Sequence, residues 1–479
     1  MPLAAGTPIA ALIAMRVDVA IIGAGTAGLS AERVARGAGA STVLIDDSFN
    51  GTTCANVGCM PSKLLIAAAA AAHSVRRAST FGVFATHRID GAAVMGRVRR
   101  ERDAFAASTR EQIAKLPKGV ALRGKARFVD TTTLELAASQ RVHARAIVIA
   151  TGAHPSIPEV FAPIRERVLT NETLFELGQL PQSLAVVGAG PLGLEFAQAM
   201  ARLGVPVTLF DEKPSLAAVT DTSLAPLMQE ILAQELDLHL GVSVRAELAG
   251  GGVSIRWDGA SGGMKNFDRV LLAVGRPPNL ADLNLRATGL ALDDQGVPLF
   301  DCETLQCGTS PVFIAGDANA DRAVLHEALM EGSTAGFNAA RIQGPLQRRR
   351  SVPFSIVFTD PPLALVGRRA GEGLLRGTAD YRDQGRAKVE ARARGRLEIY
   401  AAPDTSVLKG AALFCPGADH LGHLLAWQIN AGATASELLD QPFYHPTLEE
   451  GLKPALRRIC EQARLPLSAL EDPGSPSGA

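Results

Sequence analysis

Aromatic side chains are scarce. The 17 Phe, 3 Tyr and 2 Trp make up 5% of the 479 residues, which argues against the stacked-ring surfaces on which single-stranded nucleic acids bind. Net charge is missing as well, because 48 Lys and Arg balance 48 Asp and Glu. No electrostatic field draws the chain to nucleic acid or to an anionic membrane. Cysteine is rare. Six in the whole chain do not make a secreted disulfide scaffold, so a disulfide here is expected to be redox-active rather than structural. Met1 to Met15 are apolar and uncharged. They fall short of the ~20 residues of a membrane span and lack the basic start of a secretory signal. Residues 1–14 are therefore expected to be a disordered leader, residues 466–479, rich in Pro, Gly and Ser, a disordered tail, and the protein cytoplasmic.

What the chain does have is apolar content and repetition. At 47% hydrophobic and 20% charged it can bury large cores, and its length predicts two to four domains. An apolar run, Val17 to Ile22, leads into Gly23-Ala24-Gly25-Thr26-Ala27-Gly28, a helical pattern through Ala38, and a second apolar run ending at Asp46. The arrangement recurs. Leu184 to Val187 precedes Gly188-Ala189-Gly190-Pro191-Leu192-Gly193, a helix, and Val207 to Phe210 ending at Asp211. In both copies the acid follows the first glycine by 23 residues.

Phosphate chemistry explains the spacing. The first glycine makes the tight turn, the second lets backbone approach a pyrophosphate, and the third lets helix and strand pack closely. The helix N-terminus then offers free N–H groups to the phosphates, and the acid can accept hydrogen bonds from a ribose. One such turn is a weak signal. Two in full strand–turn–helix–strand context are strong. A second echo, Ala146 to Thr151-Gly152 against Val270 to Gly275, supports a duplication. Two dinucleotides on one chain suggest electron traffic between them.

Cys54 and Cys59 lie five apart in Gly51-Thr52-Thr53-Cys54-Ala55-Asn56-Val57-Gly58-Cys59-Met60-Pro61-Ser62-Lys63. In a regular helix they would be ~7.5 Å apart along the axis and roughly 140° apart around it, too far for a disulfide. A bond requires an irregular turn, for which Asn56 and Gly58 are suited, with Pro61 near the start of the regular helix. So small a loop would stabilise the fold by only about 2 kcal/mol. A helix start beside Lys63 is expected to lower a thiolate pKa, as exchange chemistry needs. Two buried thiols, or a zinc site shared with the equally spaced Cys302 and Cys307, are the alternatives. Cys302, Cys307, Cys415 and Cys460 are expected to be structural.

The stretch Cys54 to Lys63 with Leu64-Leu65 resembles the redox-disulfide motif of class I pyridine nucleotide–disulfide oxidoreductases, and the resemblance runs from about Arg16 to Leu456. Val312 to Gly316-Asp317 looks like the family's second FAD motif, and Tyr444-His445-Pro446-Thr447-Leu448-Glu449-Glu450 its C-terminal H-P-T-x-x-E motif. The resemblance implies an α/β fold with two Rossmann-like domains, for FAD and NAD, and a C-terminal α+β dimerisation domain. The implied segments are 15–155 (FAD), 156–278 (NAD), 279–348 (FAD or central, second part) and 349–465 (dimerisation).

It further implies that Gly23, Gly25, Gly28, Asp46, Thr53, Lys63, Thr151, Gly152, Gly316 and Asp317 serve FAD, and Gly188, Gly190, Gly193, Asp211 and Gly275 serve NAD. No metal is implied. Cys54, Cys59, His445 and Glu450 would carry catalysis, with Lys63 paired to Glu195. The His–Glu pair would serve the disulfide of the other subunit of a homodimer.

Within the family the chain is most similar to the branch that oxidises dihydrolipoamide carried on a lipoyl protein domain. The acid Asp211 suits the free ribose of NAD rather than a 2′-phosphate, and the vicinal C-terminal cysteines of the mercuric branch are absent. An NAD(P)H-dependent disulfide reductase and a non-enzymatic dinucleotide-binding interaction protein are the rival readings. Three departures stand out: Thr52 where the family has glycine, the bulky Phe443-Tyr444, and residues 367–400, which align poorly. The pattern also predicts strands over Val352–Val366, Arg396–Tyr400 and Leu408–Phe414, and helices over Leu421–Ala431 and Leu448–Gln462.

Overall fold

The computed structural model describes residues 14–136, 140–219, 223–371 and 373–464. Most of the expected leader, and the whole expected tail, lie outside the described residues. Residue 14 already opens the first strand, Ala14–Ile22. By internal contact the chain divides into two compact units. One comprises residues 1–60, 101–154 and 276–350; the other comprises 61–100, 155–275 and 351–479.

In the first unit, Val19, Ala20, Ile21 and Ile22 are buried on both faces of their strand, as the parallel core of a sheet demands. The strand is central. Thr42–Asp46 pairs parallel on one side and Gln140–Ile149 on the other. Ala121–Arg123 extends the sheet beyond the former, and Val312–Ile314 pairs parallel with the latter. An antiparallel flap, Ala126–Phe128 and Thr133–Leu136, completes seven strands. The helix Thr26–Gly37 crosses the helix Leu325–Ala340 closely because glycines face alanines. A Cβ on Gly332 or Gly336 would fall 2.2 Å from Ala27 O or 2.3 Å from Ala31 O.

The second unit repeats the plan. Its five parallel strands run Asp237–Leu240, Val207–Asp211, Leu184–Val187, Arg269–Leu272, Val168–Leu169 across the sheet. The fingerprint strand is again central, between its acid-bearing partner and its glycine-ended echo. A three-stranded antiparallel sheet, Val242–Ala249, Gly252–Gly259 and Gly263–Phe267, adjoins it in sequence. The C-terminal part is a five-stranded antiparallel sheet with helices Ala418–Ala431 and Leu452–Gln462 packed into its core. The architecture is thus the expected α/β pair of dinucleotide folds with an α+β domain.

Details differ. Val352–Val366, expected as one strand, is a hairpin of Phe354–Val357 and Leu363–Gly367. Pro361 and Pro362 between them have no N–H for a ladder. Leu375–Asp380, inside the poorly aligning stretch, is an additional strand paired with Arg396–Ala401. The C-terminal helix begins after a short turn, Glu449–Gly451. Thr53–Phe81 is long and apolar enough to cross a membrane by length and composition. A core helix passes the same test, and Leu65 and Ala69 of this stretch are core residues.

Candidate active site

In the first unit the glycine turn is built as its chemistry requires. Gly23 has φ +104°, and a Cβ on Gly28 would fall 1.8 Å from Gly23 O. No L side chain fits either place. A Cβ on Gly25 would meet nothing within 4 Å, so space is open where phosphate would approach. Asp46 closes the turn: Oδ2 accepts from Ala24 N at 2.9 Å, and Oδ1 from Ser48 N and Phe49 N at 2.9 and 2.7 Å. Ser48 Oγ also donates to Oδ1, at 3.1 Å, so Oδ1 is filled, and Oδ2, with one bond, keeps a lone pair for a ribose.

Beyond the turn, Thr151 Oγ1 and Arg276 Nε are buried without hydrogen-bond partners. Orphaned buried polar atoms call for a ligand or water, so the residues present fit a bound dinucleotide. Arg276, unforeseen from sequence, pairs with Asp317 (Nη1 to Oδ2, 3.1 Å) and donates to Ala153 O at 3.0 Å. Its one sequence signal is its place directly after Gly275. The Gly316-Asp317 loop is held by Glu331, whose Oε2 accepts from Gly316 N and Asn319 Nδ2, both at 2.8 Å, while Arg350 Nη2 lies 2.6 Å from Oε1. Burial pushes the Glu331 carboxyl above its usual range, and those hydrogen bonds and the Arg350 charge offset only part of it.

The cysteine motif is broken as anticipated. Thr53–Asn56 forms one helical turn, Val57 leaves helical geometry, and Cys59–Arg77 begins anew. Thr52 Oγ1 caps the first turn by accepting from Ala55 N, and Thr53 is exposed at its start. Gly58 permits the fold-back, since a Cβ there would lie 2.9 Å from Thr53 O and 3.1 Å from Cys54 Cα. The two cysteines, both thiols, come within hydrogen-bonding reach of each other.

Cys54 is not an acidified thiol. The hydrogen bond with Cys59, then burial, then the charge of Cys59 push Cys54 far above the usual thiol range. Cys54 therefore keeps its proton.

The second unit holds the other groups. Gly188, Gly190 and Gly193 repeat the first turn: Gly188 has φ +105°, a Cβ on Gly193 would fall 1.8 Å from Gly188 O, and space beside Gly190 is open. Asp211 again secures the turn, accepting from Ala189 N at 2.5 Å and Lys213 N at 2.7 Å. Gly275 has φ +123° with open space beside it.

Lys63 and Glu195 meet at 2.8 Å, with the carboxylate only 3% exposed, so this is no surface pair. Phe358 was not foreseen. Its N–H donates to Glu195 Oε1 at 3.0 Å, and its ring centroid lies 4.3 Å from Lys63 Nζ. His445 faces outward, 57% exposed, over a 4% exposed Glu450. Its Nδ1 lies 3.2 Å from both carboxylate oxygens, and Thr447 N donates to Oε2 at 3.0 Å. A buried acid thereby orients one ring nitrogen and leaves the other outward, the geometry of a general base.

Residues 17–336 match the family described as pyridine nucleotide-disulphide oxidoreductase, and residues 353–456 match its dimerisation domain. The chain belongs to this oxidoreductase family. It is 30% identical over 461 residues to a dihydrolipoyl dehydrogenase of Thermus scotoductus, covering 93% of this chain and 98% of the relative. To a mercuric reductase of Streptomyces lividans it is 31% identical over 461 residues, covering 91% and 94%. Among solved structures, LpdA from Mycobacterium tuberculosis superposes with a TM-score of 0.80 at 27% identity, covering 93% of this chain and 99% of the other. Family members are flavoproteins that use FAD and a nicotinamide nucleotide, and the dimerisation domain supports a homodimer. Two activities at similar identity leave the substrate to the site itself.

Proposed function

We propose that this oxidoreductase is a dihydrolipoyl dehydrogenase, oxidising a dihydrolipoyl group on a carrier protein with NAD. The observation that carries this reading is the built base, His445 over buried Glu450. A dithiol substrate is mostly protonated at neutral pH and exchanges only as thiolate, so its oxidation needs such a base. Capture of a metal ion by thiolates does not.

His445 takes a proton from one substrate thiol, and Glu450 stabilises the imidazolium. The substrate sulfur attacks Sγ of Cys54 in the oxidised Cys54–Cys59 pair. The S–S bond breaks, and Cys59 leaves as the thiolate. The second substrate sulfur then attacks the sulfur bound to Cys54, its proton passing to Cys54 as that sulfur departs. This closes the product ring and leaves the first proton on His445. FAD, when bound, accepts the electron pair from the reduced pair and supplies it to the nicotinamide. Its holders are Gly23, Gly25, Gly28, Asp46, Thr53, Thr151, Gly152, Gly316 and Asp317, now with Arg276. Lys63, partly exposed, and buried Glu195 form a fixed charge pair for this exchange. Gly188, Gly190, Gly193, Asp211 and Gly275 hold the nicotinamide nucleotide, and Asp211 favours NAD.

The test is anaerobic turnover of purified holoprotein with dihydrolipoamide and NAD⁺ or NADP⁺, set beside glutathione disulfide or mercuric ion with NADPH. The proposal requires dihydrolipoamide with NAD⁺ to give the highest kcat/KM. A larger value for either NADPH-driven reduction overturns it.

A further inference from the structure

Residues 441–448 lie outside helix and strand, yet they carry the exposed His445. Two of their backbone carbonyls are gripped by side chains from one stretch of the dimerisation domain. Gln384 Nε2 donates to Thr447 O at 2.7 Å, and Tyr381 Oη donates to Leu448 O at 2.9 Å. Both residues are buried, at 4% and 0% exposure.

Each grip is over-determined. Gln384 Oε1 accepts from Ala387 N at 2.7 Å as the cap of the helix Gly385–Val389, which fixes the amide so that its NH₂ must face Thr447. The Tyr381 phenol lies flush against Gly451, where a Cβ would come 2.5 Å from Oη and 2.6–2.8 Å from ring carbons. Burial holds the phenol well above its usual pKa, so it remains a donor. The held carbonyls come immediately before Glu449 and Glu450, and Glu450 receives both Thr447 N–H and His445 Nδ1.

We infer that Tyr381 and Gln384 are positioning residues for the His445–Glu450 base: they clamp the loop that sets where the outward ring nitrogen points. The inference rests on the reading of His445 as the base that deprotonates a thiol. A catalytic base works only within roughly half an ångström of its productive place, and small misplacements of reacting groups cost large factors in rate.

Two shape-preserving variants isolate the grips. Tyr381→Phe keeps the ring against Gly451 and deletes the donor. Gln384→Glu keeps the helix-capping oxygen and deletes the donor to Thr447 O. In anaerobic stopped-flow on holoenzyme, reduction of bound flavin by dihydrolipoamide should slow about 5- to 10-fold in Tyr381→Phe and about 10- to 100-fold in Gln384→Glu. Reduction of the same flavin by NADH, which needs no thiol base, should stay within about 2-fold. Amide hydrogen exchange over residues 445–451 should quicken about 5-fold or more in both variants.

Wild-type rates in the dithiol half-reaction, or equal slowing of both half-reactions, would overturn the assignment. If wild-type protein does not react with dihydrolipoamide at all, the proposed function is what fails. Exchange then decides this inference, and unchanged exchange over 445–451 in both variants refutes it.

Discussion

Replacing Arg202 by methionine should destabilise the second unit severely and in a pH-dependent way. Arg202, with a side chain 6% exposed, reaches Glu235 through two bonds, Nε to Oε2 at 2.6 Å and Nη2 to Oε1 at 2.7 Å, and Asp360 Oδ2 through Nη1 at 3.0 Å. One guanidinium thus ties the nucleotide-binding fold to the hairpin of the dimerisation domain. Methionine keeps most of the volume and removes the charge. A buried pair broken on one side costs about 3–5 kcal/mol. Asp360 retains Arg394 at 3.4 Å, so the loss falls mainly on Glu235 and the lower half of that range applies. At about 2 °C per kcal/mol for a unit of this size, the unfolding midpoint at pH 7.5 should drop by about 6–8 °C.

The pH sign follows from the carboxylates. Burial opposes ionisation of Glu235 and Asp360, but the hydrogen bonds and charge of Arg202 outweigh it and hold both below the usual range. Their stabilisation is present above the ordinary carboxylate pKa and is lost as pH falls through the lowered folded values. In Arg202→Met the same buried groups gain by taking up protons, up to about 1.4 kcal/mol per pH unit each. The deficit of the variant should therefore shrink between pH 7.5 and 4.5, as followed by circular dichroism melts at both values. A midpoint change under about 2 °C, or an equal deficit at both pH values, refutes the reasoning.

Other outcomes follow from the site. His445→Gln should slow flavin reduction by dihydrolipoamide by about 100-fold or more while FAD stays bound, read by anaerobic stopped-flow; an unchanged rate removes His445 from the chemistry. Cys54→Ser should abolish dithiol oxidation yet keep the yellow colour, and full turnover in that variant ends the exchange mechanism. Gly28→Ala places a methyl 1.8 Å from Gly23 O, so it should purify with most of its flavin missing. An absorption spectrum showing full occupancy would contradict the close-approach argument.

The two dinucleotide folds were legible because their causes are local. A glycine at 23 or 188 and an acid 23 residues on specify turn, helix start and neighbouring strand through contacts a few residues long, and buried parallel strands announce themselves as apolar runs. The broken helix at Cys54–Cys59 was legible for the same reason: five residues of regular helix hold two sulfurs apart, and Gly58 lets the backbone fold back. The stretch 367–400 hid its strand, Leu375–Asp380, because Leu-Arg-Gly-Thr-Ala-Asp carries little apolar alternation and becomes a strand by pairing with Arg396–Ala401.

Sequence by itself thus determined the duplicated nucleotide plan and the break in the helix between Cys54 and Cys59, each encoded in spacing along the chain. Only tertiary structure decided which groups answer to which. Arg276 joins Asp317 across 41 residues, Lys63 reaches Glu195 across 132, and Tyr381 grips Leu448 across 67. Tertiary structure also raised the Cys54 thiol, because a thiol's acidity depends on the charge and burial beside it in space. Periodicity records what neighbours along a chain require of one another; pairings across long loops are fixed by packing, which no short window of residues contains.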